Sequence, residues 1–158
     1  MKKNPIWDYT LSVYGKDGVS PILIRLQDEY GADVNLLLCA CWLGGQGQLL
    51  NADGWRTLVQ ASAKWRAEGI IPLRALRRFL KGQAGLEEFR ERVNQLEVDA
   101  EQWQHQLMLE ALDELEPQAS TADDAAQQNL LSYIQSLPGV ETAQVMDDMV
   151  ELLNSVQA

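Results

Sequence analysis

Histidine occurs once in this chain of 158 residues and cysteine twice, and basic residues all but vanish from its second half. Each scarcity excludes a class of chemistry. Nothing in the sequence places a nucleophile beside the one imidazole, His105, so no Ser/His/Asp or Cys/His catalytic set is supported. Cys39 and Cys41 stand two apart on a predicted helix, so their side chains point about 200° apart. They cannot jointly clamp a metal, and a tetrahedral zinc site needs two further soft ligands that the chain does not supply; buried, inert thiols are expected. The longest apolar run, Leu36 to Leu43, falls well short of the roughly 20 residues of a membrane span. Lys2 and Lys3 are followed by Asp8 and Thr10 where an export signal requires an apolar stretch, so a cytoplasmic protein with reduced thiols is expected. The Gly44-Gly45-Gln46-Gly47 stretch lacks the Lys-Ser/Thr of a phosphate loop and no strand precedes it, which makes it a turn between helices. No metal or cofactor is expected.

Charge is plentiful but divided. Residues 1–81 carry eleven Lys/Arg against seven Asp/Glu, a net of +4, and residues 82–158 carry two against sixteen, a net of −14. A basic half joined to a strongly acidic one implies two surfaces with different tasks. The overall acidity argues against general nucleic-acid binding, which needs a dominant positive face. Apolar content of 46% with five Trp is that of a folded globular chain.

No segment sustains strand alternation, and the apolar residues recur at helical spacing almost throughout. Asn4-Pro5 and Ser20-Pro21 read as helix starts, Gly31 as a left-handed C-terminal stop, and Asp33 as the cap of a helix over Val34–Leu43 that is apolar nearly all round. Asn51 opens a fourth helix through Glu68, ended by Gly69, and Pro72 begins a short fifth. A long helix follows. Its residues Leu86, Phe89, Val93, Leu96, Ala100, Trp103 and Leu107 keep the period of a coiled-coil seam, which slips to Met108 and stops being apolar at Glu110. The polar stretch Pro117 to Ala122 is the best internal boundary, with a capping box expected at Thr121–Asp124. Two short amphipathic helices follow it. The expected fold is all-α: a helical bundle domain over 1–116, with roughly five helices before the long one, and an acidic two-helix tail over 117–158. The long helix is expected to lay its Leu86–Leu107 stripe on the bundle and the tail to pack less tightly.

The stretch LQDEYGADVNLLLCACWLG (Leu26 to Gly44) is distinctive. Together with Trp7, Tyr14, Gly18-Val19, Trp65-Arg66 and PLRALRR (Pro72 to Arg78), it resembles a family of small proteobacterial proteins catalogued as a domain of unknown function. The resemblance spans roughly the first 80 residues and implies no reaction, ligand or partner.

The candidate binding residues are therefore read from the chain itself. Gln27, Asp28, Asp33 and Asn35 bracket the Gly31 turn, and Asn35 stands in an otherwise apolar helix, where an unpaired amide costs a few kcal/mol. Either Asp33 caps while Asn35 and Asp28 tie neighbouring helices together, or Asn35 floors a polar pocket. Arg74, Arg77 and Arg78 share one helix face, with Lys81 beyond them. Either the acidic long helix folds back to neutralise them, or they form an anion site, for which Arg offers bidentate geometry. Glu97, Glu101 and His105, four apart, form a row expected to face solvent. Two functions remain. One is a cytoplasmic, non-enzymatic interaction protein that docks an unknown protein partner through its acidic half or its Arg face. The other is a small-molecule anion binder or enzyme using Asp28, Asp33 and Asn35 with Arg74 and Arg77. A deep pocket joining those residues favours the second, and a packed core with an exposed apolar tail favours the first.

Overall fold

The computed structural model describes residues 3–121 and 123–158. They fold as an all-α bundle. Asn4 caps α1 (Pro5–Tyr14) by accepting from the amides of Ile6 and Trp7, and proline at the helix start costs no hydrogen bond. α2 (Val19–Tyr30) begins one residue ahead of the Ser20-Pro21 signal and stops at Gly31, whose φ of 71° is the left-handed conformation glycine adopts freely. Asp33 caps α3 (Val34–Gly45) through a 2.9 Å bond from the Asn35 amide. α3 is the centre of the molecule: Leu36, Leu37, Leu38, Cys39, Ala40, Cys41 and Leu43 are all buried.

Asn51 caps α4 (Ala52–Trp65) at the Gly54 amide, as its position implies. Gly69 does not end this helix. The chain continues through a π-helical turn, Arg66–Ile70, directly into α5 (Ile71–Leu80). Pro72 supplies the reason, because it has no N–H for the carbonyl one turn back and a π turn absorbs that break without leaving the helix axis. α6 (Glu87–Leu115) is the long helix and runs back along α4 and α5. A two-residue antiparallel pairing then joins Gln48–Leu49 (β1) to Gln118–Ala119 (β2), so the chain turns at the expected boundary by pairing with the loop after α3. Position 122, within the expected capping box, lies outside the described residues. α7 (Ala125–Gln135) starts with Asp124 at its N-cap, which makes no side-chain capping bond. α8 (Thr142–Gln157) closes the chain.

The tail is not loosely packed. α7 lies across α3 and buries Leu130, Tyr133 and Ile134 in the same core as α3; α8 packs on α2 and α7 through Val145, Met149 and Leu152. Gly44 explains how closely α7 can approach, since a Cβ there would fall 2.2 Å from the Ala126 Cα. Gly44 is thus a packing residue inside α3 and not part of a turn. Polar ties fix the rest. Asn129 accepts from the Leu50 amide and donates to the Gln48 carbonyl, the Asp33 amide donates to the Tyr133 hydroxyl, and Arg25 pairs with Asp148 and Glu151. Burial of a single tyrosine or leucine is worth about 2 kcal/mol, and the tail brings several.

The long helix departs from expectation in a second way. Of its seam, Val93 and Ala100 are buried, but Leu86, Phe89, Leu96 and Trp103 remain exposed. The face α6 turns inward instead carries Glu97, Gln104 and His105 in its middle, with Met108 and Leu112 following. The row expected to face solvent is the one that docks.

Candidate functional site

Polar side chains on a docking face must find partners inside, and here they do so in three linked groups. The first is a closed ring around Asp33. Asn35 Nδ2 donates to Gln104 Oε1 at 2.7 Å, and Gln104 Nε2 donates to Asp33 Oδ2 at 2.6 Å. Gln104 also reaches the Ser62 hydroxyl at 3.3 Å, and Arg66 Nε lies 3.3 Å from Asp33 Oδ2. α3, α6 and the π turn therefore meet at one capping carboxylate, with α4 joined through Ser62 and α7 through the Tyr133 hydroxyl on the Asp33 amide. Asn35 is buried with a side-chain partner, as its surroundings require.

The second group surrounds His105, which is fully buried. Its Nδ1 lies 2.8 Å from the Glu101 carbonyl, so Nδ1 carries the proton and Nε2 accepts from the Thr10 hydroxyl at 2.9 Å. The Trp7 ring meets the imidazole edge-on, and Asn4 Nδ2 donates to the His105 carbonyl at 2.7 Å. Burial holds the imidazole below its ordinary pKa, against the raising effect of its main-chain bond and of Asp33. These contacts seat α1 on α6.

The third group joins α5 to α6. Arg77 pairs with both oxygens of Glu97, and Arg74 Nε reaches the same carboxylate at 3.1 Å. Arg74 also donates to Gln27 Oε1 at 2.9 Å and to Glu101 Oε1 at 3.2 Å. Burial pushes the Glu97 carboxyl up, but its bonds to Arg77 and Arg74 outweigh this and hold it below the ordinary range. Glu101 has a weaker share of the arginines, and burial pushes it up to about 6 against the pull of Arg74.

Above these groups lies a cleft of about 380 Å³ between α1 and α2 on one side and α5 and α6 on the other. Arg74, Arg77, Glu97, Glu101, Gln27 and Asn35 supply its polar floor. Trp7, Leu11, Tyr14, Ile24, Val34 and Val98 supply apolar walls. A second hollow of about 490 Å³, bordered by Asn51, Asp53, Glu116 and Gln128, has no cationic group.

Of the seven candidate residues, the structure brings Gln27, Asn35, Arg74, Arg77 and Arg78 to this one cleft. Asp33 sits behind it in the buried ring, and Asp28 lies on the surface, 3.9 Å from the Arg78 guanidinium. The long helix does neutralise Arg74 and Arg77, through Glu97 and Glu101, but Arg78 and Lys81 stay at the surface. Sequence reasoning did not place Glu97, Glu101, Thr10 or Trp7 at a site. The four-residue row Glu97–Glu101–His105 held that signal, with Gln104 beside it. Cys39 and Cys41 are buried, and burial pushes the Cys41 thiol up to about 12 and that of Cys39 higher still. Among the described residues no three His, Cys, Asp or Glu side chains are placed to hold a metal ion, and no helix is long and apolar enough to cross a membrane.

Residues 5–108 match the family described as a protein of unknown function, DUF2390. The chain belongs to that family. The matched segment begins at α1 and ends two turns before the end of α6, so it takes in every residue lining the cleft. No curated protein and no solved structure matches the chain.

Proposed function

We propose that this protein binds a small organic anion, a carboxylate with an apolar body, in the cleft between α1–α2 and α5–α6. The observation that carries the reading is the convergence there of Gln27, Asn35, Arg74, Arg77 and Arg78 from three separate helices under an apolar rim. Pockets of this kind, mostly apolar with a few convergent polar groups, are where proteins take small ligands. The lining holds three arginines against Glu97 and Glu101, an excess of one positive charge that grows when Glu101 takes a proton near pH 6. All three nitrogens of Arg74 have partners in Glu97, Gln27 and Glu101, and Arg77 gives Nε and Nη2 to Glu97, which leaves Arg77 Nη1 and Arg78 as the groups that meet a carboxylate. Trp7, Leu11, Tyr14 and Ile24 then cover the apolar body. Nothing in this reading requires a catalytic step.

Calorimetric titration of the full chain with 4-phenylbutyrate, and with its neutral amide as control, tests the assignment. Saturable binding of the acid alone, weakened at least about tenfold by Arg77→Met, is the expected result. Equal behaviour of acid and amide, or binding indifferent to the substitution, contradicts it.

The alternative, a non-enzymatic interaction protein, is supported by a different observation from the one expected. The acidic helices α7 and α8 are committed to the core, and Arg74 and Arg77 to Glu97. The exposed apolar residues of α6 favour that reading instead, with a second copy of the chain as the partner. Two buried, unpaired thiols accord with a cytoplasmic setting.

A further inference from the structure

The outward seam of α6 is unused by the cleft or by the core. Phe89, Leu96 and Trp103 are 41%, 54% and 41% exposed, and their seven-residue spacing sets them in one line along the helix. Trp65 abuts the far end of the line, its ring 6.5 Å from that of Trp103. From Phe89 to Trp103 the line runs about 21 Å. A helix that buries Glu97, Gln104 and His105 while exposing these residues has its apolar face arranged for something outside the chain.

The residues beside the line indicate what covers it. Taking Phe89, Leu96 and Trp103 as heptad position d puts the buried Val93 and Ala100 at a. The flank at e holds Glu97, closed off by its pairing with Arg77 of α5. The flank at g is open and holds Arg92 and Asp99, both exposed and of opposite sign. About a two-fold axis crossing α6 at Leu96, the d line of one copy runs back along the d line of the other and the two g flanks lie on the same side. Placing Leu96 opposite Leu96 of a second copy sets Phe89 against Trp103 and Arg92 against Asp99, each contact occurring twice about the two-fold axis. Parallel, in-register pairing instead turns each g flank toward e of the partner helix, where Glu97 and Gln104 are already buried and paired, so Arg92 and Asp99 gain nothing. The Arg92 guanidinium already lies over the Phe89 ring, 5.5 Å from its centre, and so stands at the edge of the seam.

We propose that the protein forms a two-fold homodimer through antiparallel pairing of α6 with α6 of a second copy, centred on Leu96. This rests on the interaction reading and is independent of the cleft, so failure of either leaves the other standing. The surface is isologous, as two-fold dimers require, because one stretch of sequence provides both complementary charges.

Sedimentation equilibrium of the full chain from low to high micromolar concentration tests the pairing. The expected species at high concentration has twice the 17.7 kDa chain mass. Leu96→Glu, at an exposed position, retains the circular dichroism and melting of the wild type but sediments as a monomer. Arg92→Asp and Asp99→Arg each weaken the dimer about tenfold by setting like charges together, and the double exchange restores it. A wild type that stays monomeric throughout overturns the proposal. So does a Leu96→Glu dimer as tight as the wild type, or a charge exchange that recovers nothing.

Discussion

Asn35, Gln104 and His105 are amides and an imidazole placed where a helical bundle ordinarily holds leucines, and each is stable there only because its partners are complete. Removing one member leaves others unsatisfied, and a buried unpaired group costs more than a bond is worth. Gln104→Leu strands the Asn35 amide and leaves Asp33 Oδ2 with Arg66 alone. Urea unfolding is expected to show a loss of about 1–3 kcal/mol, and an unchanged midpoint contradicts the ring as described. The same groups set the response to pH. His105 is neutral in the fold, while in the unfolded chain it takes a proton near 6.5. The unfolded state therefore binds protons first as pH falls, and the stability due to His105, complete above 6.5, is lost below it. Glu101 acts in the opposite sense. Its folded carboxyl holds a proton up to about 6 and its unfolded one only to 4.5, so its contribution declines as pH rises between these values. With Arg74, Glu97, Asp33 and His105 around it unchanged, Glu101→Gln removes this opposing slope. The variant is expected to lose stability to acid more steeply than the wild type from pH 6 to 4.5, and parallel curves contradict the burial of Glu101.

At the scale of elements, helix starts and stops were legible because they are written in neighbouring residues. Asn4, Asp33 and Asn51 all accept the capping bonds that their positions imply, and Gly31 takes the left-handed turn. What was not legible depends on residues far apart in the chain. The apolar period of α6 marked the helix but not the face that docks, since nothing local says that Gln104 has Asn35 and Asp33 to meet, or that Glu97 has Arg77. Gly69 and Pro72 read as a break because the π turn that carries the helix past them leaves no sequence mark of its own. Gly44 read as part of a turn, since the backbone of Ala126 that needs its missing Cβ lies some eighty residues on. Gly44→Ala tests that contact. The added methyl forces α3 and α7 apart, with an expected loss of about 1–3 kcal/mol and faster hydrogen exchange in α7 than in α3. A variant that melts like the wild type contradicts the close approach.

At the scale of the whole molecule, the division of charge along the chain does not become two independent surfaces. Acidic residues of α6 and α8 reach back to Arg74, Arg77 and Arg25, so much of the opposition is settled inside one fold. What remains is a long helix turned against its own apolar period: polar row inward, where it floors the cleft, and half of its seam outward. Both functional proposals follow from that orientation, and hydroxyl-radical footprinting of the intact chain at high dilution measures it directly. The account predicts ready oxidation of Phe89, Leu96 and Trp103, and protection of His105 and Met108 on the same helix. Oxidation of His105 at a rate comparable to Trp103, with Phe89 and Leu96 protected, would show the helix docked by its seam and contradict the account.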